Sequence, residues 1–280
     1  MLRLPILALA ATFSASNVAP PVVADAPRAV PQRIVSLNLC TDQLLLALAD
    51  PGQIAALTAN ARDPWMSAAA TQARGFPAIR GTAEEVLARD PDLIVGAPPA
   101  RVSALRSLGA RDYPALDLPL VANNVAEIQG QMRAVASATG HAVRGEALVA
   151  QMDAALAKLP RNGQGRVAAY YQRRGFVTGT GTLVDDLMTR AGLVNLTTRL
   201  GKPSLYRLSL EEMIAARPDV LIVETDSAVV SDQGAEMLQH PALRHIPRIT
   251  LPQAWTVCGG PAYVRAAERL SAQLAALPRN

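Results

Sequence analysis

The sequence predicts an α/β protein: two similarly built α/β lobes joined by one long α-helix. Three observations carry this. GTAEEVLARDPDLIVGA (residues 81–97) joins a capped helix to a buried strand. LSLEEMIAARPDVLIVE (residues 208–224) repeats that pattern 127 residues later. Between them runs an Ala-, Leu-, Val- and Glu-rich helical stretch from His141 to Leu159.

The elements follow in order. Arg33 to Leu37 is a short β-branched strand, Asn38 to Thr41 a turn, and a helix continues through Ala49, which is how an α/β unit starts. In the first repeat Thr82 is the helix cap and Glu85, three positions on, completes a capping box. The helix stops near Asp90, because Pro91 disfavours helical geometry in the residue before it. Leu93 to Val95 is then a buried strand. In the second copy Ser209 is the cap, Glu212 its partner, Pro218 and Asp219 end the helix, and Leu221 to Val223 is the strand. Matched pairs at one offset (Glu84 and Glu211, Ala88 and Ala215, Pro91 and Pro218, Asp92 and Asp219) argue for two lobes of one design.

Asn124 to Thr139 is a helix broken at Gly140. The stretch from His141 to Leu159 spans about 28 Å at the standard rise, which suits a strut between lobes. A strand over 166–171 opens the second lobe, the loop Gln172 to Phe176 follows, and a helix runs from Leu183 to Ala191. This divides the chain into an N-terminal lobe (33–138), a connecting helix (141–160) and a C-terminal lobe (166–280).

The opening MLRLPILALAATFSAS has one cation, Arg3, and a ten-residue apolar run that is too short to span a membrane. It reads as a signal peptide within residues 1–26, cleaved after Ser16 or Ala24. The first cysteine is Cys40, so a lipid anchor is not expected, and the protein is expected in the periplasm. Half the residues are apolar and 18% charged, which excludes a disordered chain or a small disulfide scaffold. A net charge of +4 without basic runs does not indicate nucleic-acid binding. In an oxidising compartment the lone pair Cys40 and Cys258 is open to bridging, although nothing in the sequence brings the two together.

No nucleophile elbow, zinc-protease or redox-pair motif is present. His141, His240 and His245 show no ligand spacing and are expected in structural roles. Neither a bound metal nor a cofactor is expected. The run Thr178 to Thr182 before a helix offers N–H groups to an anion, or is a tight turn with no ligand. Glu84 and Glu211 sit on first helical turns, where a carboxylate complements the helix dipole. Trp255, on a loop after an apolar strand, either stacks on a flat ligand or packs in the core; Trp65, after Asp63-Pro64, is equally open.

RIVSLNLCTDQLLLALAD, GTAEEVLARDPDLIV, GTGTLVDDLMTRAGL, LSLEEMIAARPDVLIV and PAYVRAAERLSAQL stand in this order between Arg33 and Leu277. Together they resemble the periplasmic substrate-binding proteins of ABC importers for metal chelates: ferric siderophores, haem and cobalamin. The resemblance implies two Rossmann-like α/β lobes, one connecting helix, and a ligand cleft between the lobes. It implies a monomeric binding protein, not an enzyme, whose partners are a metal chelate and an inner-membrane ABC permease dimer. Glu84 and Glu211 would be the paired permease-docking carboxylates.

The ligand-binding positions it implies are Asn38, Cys40, Thr41 and Arg80 in the first lobe and Gln172, Arg173, Arg174, Phe176, Trp255 and Cys258 in the second. Cys40 and Cys258 then face each other across the cleft, where they form a disulfide, stay free or touch the ligand. Arg80, Arg173 and Arg174 suit an anionic chelate, so a ferric siderophore leads, with cobalamin and haem as alternatives. Scarce aromatics and the loop Gly96 to Pro99 depart from a corrinoid-binding pattern. From other classes, an exported thiol-disulfide enzyme using Cys40 and Cys258, an α/β hydrolase and a sensor partner compete.

Overall fold

The computed structural model describes residues 29–96, 113–225 and 236–278. The expected signal peptide and most of the Gly96 to Pro99 loop lie outside the described residues.

Two parallel sheets form the body. The first holds β1 (Ile34–Ser36), β2 (Ile54–Thr58), β3 (Ala78–Ile79), β4 (Leu93–Val95) and β5 (Ala115–Leu116), in the order β3-β2-β1-β4-β5. The second holds β6 (Val167–Tyr170), β8 (Val194–Asn195), β10 (Val220–Glu224) and β11 (Arg248–Leu251), in the order β11-β10-β6-β8. β7 (Phe176–Thr178) and β9 (Leu205–Arg207) form a separate antiparallel ribbon. The central strands are buried on both faces, as parallel sheets require, and read as continuous apolar runs. β2, β3, β5, β7, β8 and β9 were not anticipated, and all of them but β2 are only two or three residues long.

The helices are α1 (Leu39–Leu48), α2 (Ala70–Ala73), α3 (Ala83–Leu87), α4 (Val125–Ala138), α5 (Ala142–Ala157), α6 (Leu183–Arg190), α7 (Leu196–Arg199), α8 (Leu210–Ala216) and α9 (Ala262–Ala275). Both capping boxes form. The Thr82 hydroxyl accepts from the Glu85 N–H while Glu85 Oε2 accepts from the Thr82 N–H, and Ser209 and Glu212 do the same. The repeat extends into the backbone: Asp90 and Arg217, again 127 apart, are both left-handed, with φ of 45° and 46°. α3 therefore ends at Leu87, short of Asp90, because the chain must leave helical geometry ahead of Pro91.

The Pro-Asp of each copy has a shared structural purpose. Asp92 accepts from the Gln32 and Arg33 N–H groups at 2.6 and 2.8 Å, and Asp219 accepts from the Val167 N–H at 2.7 Å. Asp92 holds the two N–H groups just ahead of β1, and Asp219 holds the first N–H of β6, so each carboxylate ties the approach to its own strand (β4 or β10) to the start of the neighbouring parallel strand.

α5 follows the first sheet and precedes the second. Its 16 residues span about 24 Å, shorter than the sequence reading by a frayed residue or two at each end. It packs against α4 at Gly145, where an added Cβ would stand 2.5 Å from the Ala136 Cβ. One core cluster runs without interruption from Ile34 and Leu45 through Ile128, Met132 and Met152 to Ile222 and Leu270. The two sheets are thus buried against a shared helical layer.

Cys40 in the first turn of α1 is bonded to Cys258 in the loop before α9, with the Cα atoms 5.2 Å apart and 218 residues between them in sequence. Beside it, an added Cβ on Gly259 would lie 2.4 Å from Ile128 Cγ1, so the loop is pressed onto α4. Reducing this bridge is expected to lower unfolding stability by about 2–5 kcal/mol. Urea denaturation with and without a dithiol reductant, compared with Cys40→Ser/Cys258→Ser under both conditions, checks this.

Candidate functional site

In open parallel sheets, ligands gather at the carboxyl ends of the strands. Here those ends surround a cavity of about 210 Å³ that both lobes line. The segment between β5 and α4 supplies Val121, Ala122 and Asn123. The second lobe supplies Tyr170 and Gln172 after β6, Thr178 and Thr182 ahead of α6, Glu224 at the end of β10, and Gln253, Thr256 and Val257 after β11.

Glu224 is 5% exposed and centres a polar network. Gln172 Nε2 donates to its Oε1 at 2.9 Å, and the Tyr170 hydroxyl lies 3.4 Å from the same oxygen and 3.1 Å from Thr256 Oγ1. The Thr178 hydroxyl donates to Gln172 Oε1 at 3.2 Å. Burial and the neighbouring Glu224 charge push the Tyr170 phenol well above its ordinary pKa, so it stays a neutral hydroxyl. The site offers hydroxyl, amide and carboxylate groups in a low-dielectric setting, where such contacts discriminate strongly.

The sequence-predicted positions divide. Gln172 lines the cavity. Cys258 adjoins Val257 but is taken up by the bridge with Cys40. Asn38 caps α1: its Oδ1 accepts from the Thr41 N–H at 2.9 Å and its Nδ2 donates to the Gly96 carbonyl at 3.1 Å. The Thr41 hydroxyl is buried between Asn38 O and Ser36 Oγ. Arg80, Arg173 and Arg174 are exposed on loops at the strand ends, outside the cavity wall. Phe176 opens β7, and its carbonyl accepts from the Gln172 N–H. Trp255 packs against the core beneath the Arg265 guanidinium, 5.1 Å from its ring, and is not part of the wall. Glu84 and Glu211 are exposed on the first turns of α3 and α8.

The Thr178 to Thr182 run forms a capped turn. Thr182 Oγ1 accepts from the Asp185 N–H, and Asp185 and Asp186 supply negative charge to the start of α6. His141 Nε2 lies 2.9 Å from Gln53 Oε1, 88 residues away in sequence, and His240 Nδ1 accepts from the nearby Ala242 N–H. Among the described residues no cluster of His, Cys, Asp and Glu could hold a metal ion. Sequence reasoning missed Tyr170, Glu224 and Thr256. The one signal was Glu224 itself, a carboxylate closing a wholly apolar strand.

Beneath the bridge lies Asp42, fully buried in α1. It accepts from the Thr58 N–H at 3.1 Å and from the Thr58 hydroxyl. Burial outweighs these bonds and pushes its carboxyl up to about 6. Its folded pKa exceeds the unfolded value, so its contribution to stability is complete below about pH 4 and is lost as pH rises through 6. Asp42→Asn is expected to flatten this slope, worth about 3 kcal/mol between pH 4 and 7. Denaturation midpoints of both proteins across that range check it.

Two lobes, parallel sheets and a cleft at their strand ends define a ligand-binding protein. Residues 34–249 match the family described as Periplasmic binding protein, and the chain belongs to this family. Among the described residues no helix is long and apolar enough to cross a membrane. Three solved structures show the likeness. The apo periplasmic heme-binding protein RhuT from Roseiflexus is 26% identical, with TM-score 0.71, over 88% of this chain and 98% of that one. The periplasmic vitamin B12 binding protein BtuF of Vibrio cholerae is 18% identical, with TM-score 0.65, over 88% and 97%. The ABC-type Fe3+-hydroxamate transport protein of Saccharomonospora viridis is 19% identical, with TM-score 0.65, over 87% and 93%. No curated protein matches the chain.

Proposed function

We propose that the protein captures a metal chelate, specifically a ferric siderophore, between its lobes and delivers it to an inner-membrane ABC permease. The chemistry of the cleft cavity supports this. Tyr170 is the one aromatic among the described lining residues, while amide, hydroxyl and carboxylate groups make up much of the rest. A flat macrocycle calls for broad apolar and aromatic walls, whereas an open-chain chelate with polar arms calls for hydrogen-bonding groups. Arg80, Arg173 and Arg174, on loops at the same strand ends, would meet carboxylate or catecholate groups at the rim.

The cavity is smaller than the ~300–1,000 Å³ usual for small-molecule sites, so most of a chelate would rest in the open cleft above it. In this reading Gln172 and the three arginines contact the ligand. Asn38, Cys40, Thr41, Phe176, Trp255 and Cys258 hold the walls. Haem is the second reading, favoured by the 26% identity to RhuT, which is described as heme-binding; cobalamin is the third. No step of this reading is catalytic, and the bridged cysteines leave a thiol-disulfide enzyme without a resting thiolate.

Glu84 and Glu211 would dock the lobes on the two permease subunits. Both are exposed, both occupy the second helical position of a capping box, and they stand in matching places of the repeat. The protein would reach the periplasm through the signal peptide within residues 1–26 and act as a monomer.

Trp255 directly precedes Thr256 and Val257 of the wall, so its fluorescence should report occupancy. Titration with ferric hydroxamate and catecholate siderophores, haemin and cyanocobalamin is expected to give saturable one-to-one quenching by a siderophore. A response to haemin alone would transfer the assignment to haem. Glu84→Ala combined with Glu211→Ala is expected to abolish uptake in permease proteoliposomes while the chelate Kd is unchanged. Wild-type uptake at limiting binding protein would remove the docking assignment.

A further inference from the structure

A second cavity, of about 610 Å³, opens between the lobes. It is lined by Gln43 and Leu46 of α1, Ala68 and Ala69 ahead of α2, and Ala262 and Arg265 of α9, among others. Among the described residues it shares no lining residue with the cleft cavity. The bridge separates the two along the chain: Val257 lines one and Pro261 the other. Its volume falls within the ~300–1,000 Å³ typical of small-molecule sites.

Beside the neutral Thr71 and Gln72, its wall carries donors that the protein leaves without an acceptor or a counter-charge. α9 is 14 residues long and begins without a side-chain cap or an acidic residue in its first turn, so the positive end of its dipole is uncompensated. Gln43 is only 6% exposed. Its Oε1 accepts from the Ala68 N–H at 3.2 Å, which fixes the orientation of the amide, and its Nε2 has no hydrogen-bond partner among the described residues. Native proteins seldom bury such a donor unpaired. Arg265 lies over the Trp255 ring and donates one N–H to the Ala68 carbonyl at 3.3 Å. That posture holds the guanidinium at the wall, where no described carboxylate pairs with it. No Asp or Glu is among the described residues that line the cavity, and Leu46, Ala47 and Pro261 give it an apolar side.

We propose that this interlobe cavity is a second binding site, one that takes a small organic carboxylate. The carboxylate oxygens are held by Arg265 and the Gln43 amide at the start of α9, and the apolar body rests on Leu46. A planar carboxylate matches the guanidinium fork and supplies the acceptor that Gln43 lacks. Because α1 and α9 belong to different lobes, an occupant bridges them alongside the disulfide. The site does not depend on which chelate fills the cleft.

The test is a titration of the oxidised, ¹⁵N-labelled protein with sodium benzoate at constant ionic strength, followed by NMR. The Gln43 side-chain NH₂ pair is assigned by its absence in Gln43→Leu. Saturable shifts of that pair and of the Arg265 Nε–H are expected, with affinity reduced at least about tenfold in Arg265→Gln. Benzyl alcohol should give no saturable shift, and inorganic phosphate should bind more weakly than benzoate. The proposal is overturned by no saturation up to roughly 20 mM benzoate, a range that covers even weak small-ligand affinities. It is equally overturned if benzyl alcohol or phosphate matches benzoate, or if Arg265→Gln binds benzoate as tightly as the parent protein.

Discussion

The structure depends most on the junction where α1, α4 and the loop before α9 meet. Three constraints act there together. The Cys40–Cys258 bond fixes two backbones 5.2 Å apart. Gly259 allows the loop to press on Ile128 with no room for a side chain. The core cluster crosses from one sheet to the other through the same helices. A hinge needs a place where few contacts cross, and this junction has many. The spacing of the cleft is therefore set by packing and a covalent bond, and a bound ligand would gain little by drawing the lobes together.

A cleft of fixed width shifts the source of selectivity to the groups that line it. The buried Glu224 network has its members held by one another: Gln172 is gripped by Glu224 and Thr178, and Tyr170 by Glu224 and Thr256. Preorganised groups lose little rotamer entropy when a ligand arrives. A ligand that fails to replace the water lost from such groups leaves buried polar atoms unpaired, which is costly. This is why the polar character of the wall weighs more in the reading of the ligand than the exposed arginines do.

Much of the architecture was legible because it rests on local rules. Capping boxes, Pro-Asp exits and apolar strands are short-range, and their recurrence at one offset marked two lobes of one design. The short strands were hidden because two or three residues carry no period, and they exist only by pairing with a neighbour. The site was legible only in part. Of the strand-end loop positions read from the sequence, Gln172 lines the cavity, whereas Asn38 and Thr41 hold their own backbone, because short polar side chains at a helix start serve as caps first. Tyr170, Glu224 and Thr256 were missed because they are more than 50 residues, or 30, apart in sequence, and only the parallel pairing of β6, β10 and β11 brings them together.

The two cavities at the junction differ in a way that the helix ends explain. The cleft cavity adjoins α6, whose first turn already carries Asp185 and Asp186, and its centre is the carboxylate of Glu224. Negative charge placed inside this cavity meets charge of the same sign, so the anionic groups of the proposed chelate belong at the rim, beside Arg80, Arg173 and Arg174. The cavity beside α9 adjoins a helix start with no cap and no acid, next to Arg265 and an unpaired amide donor. Similar backbone geometry thus presents opposite electrostatic faces, because capping residues at one helix end satisfy what the other leaves open.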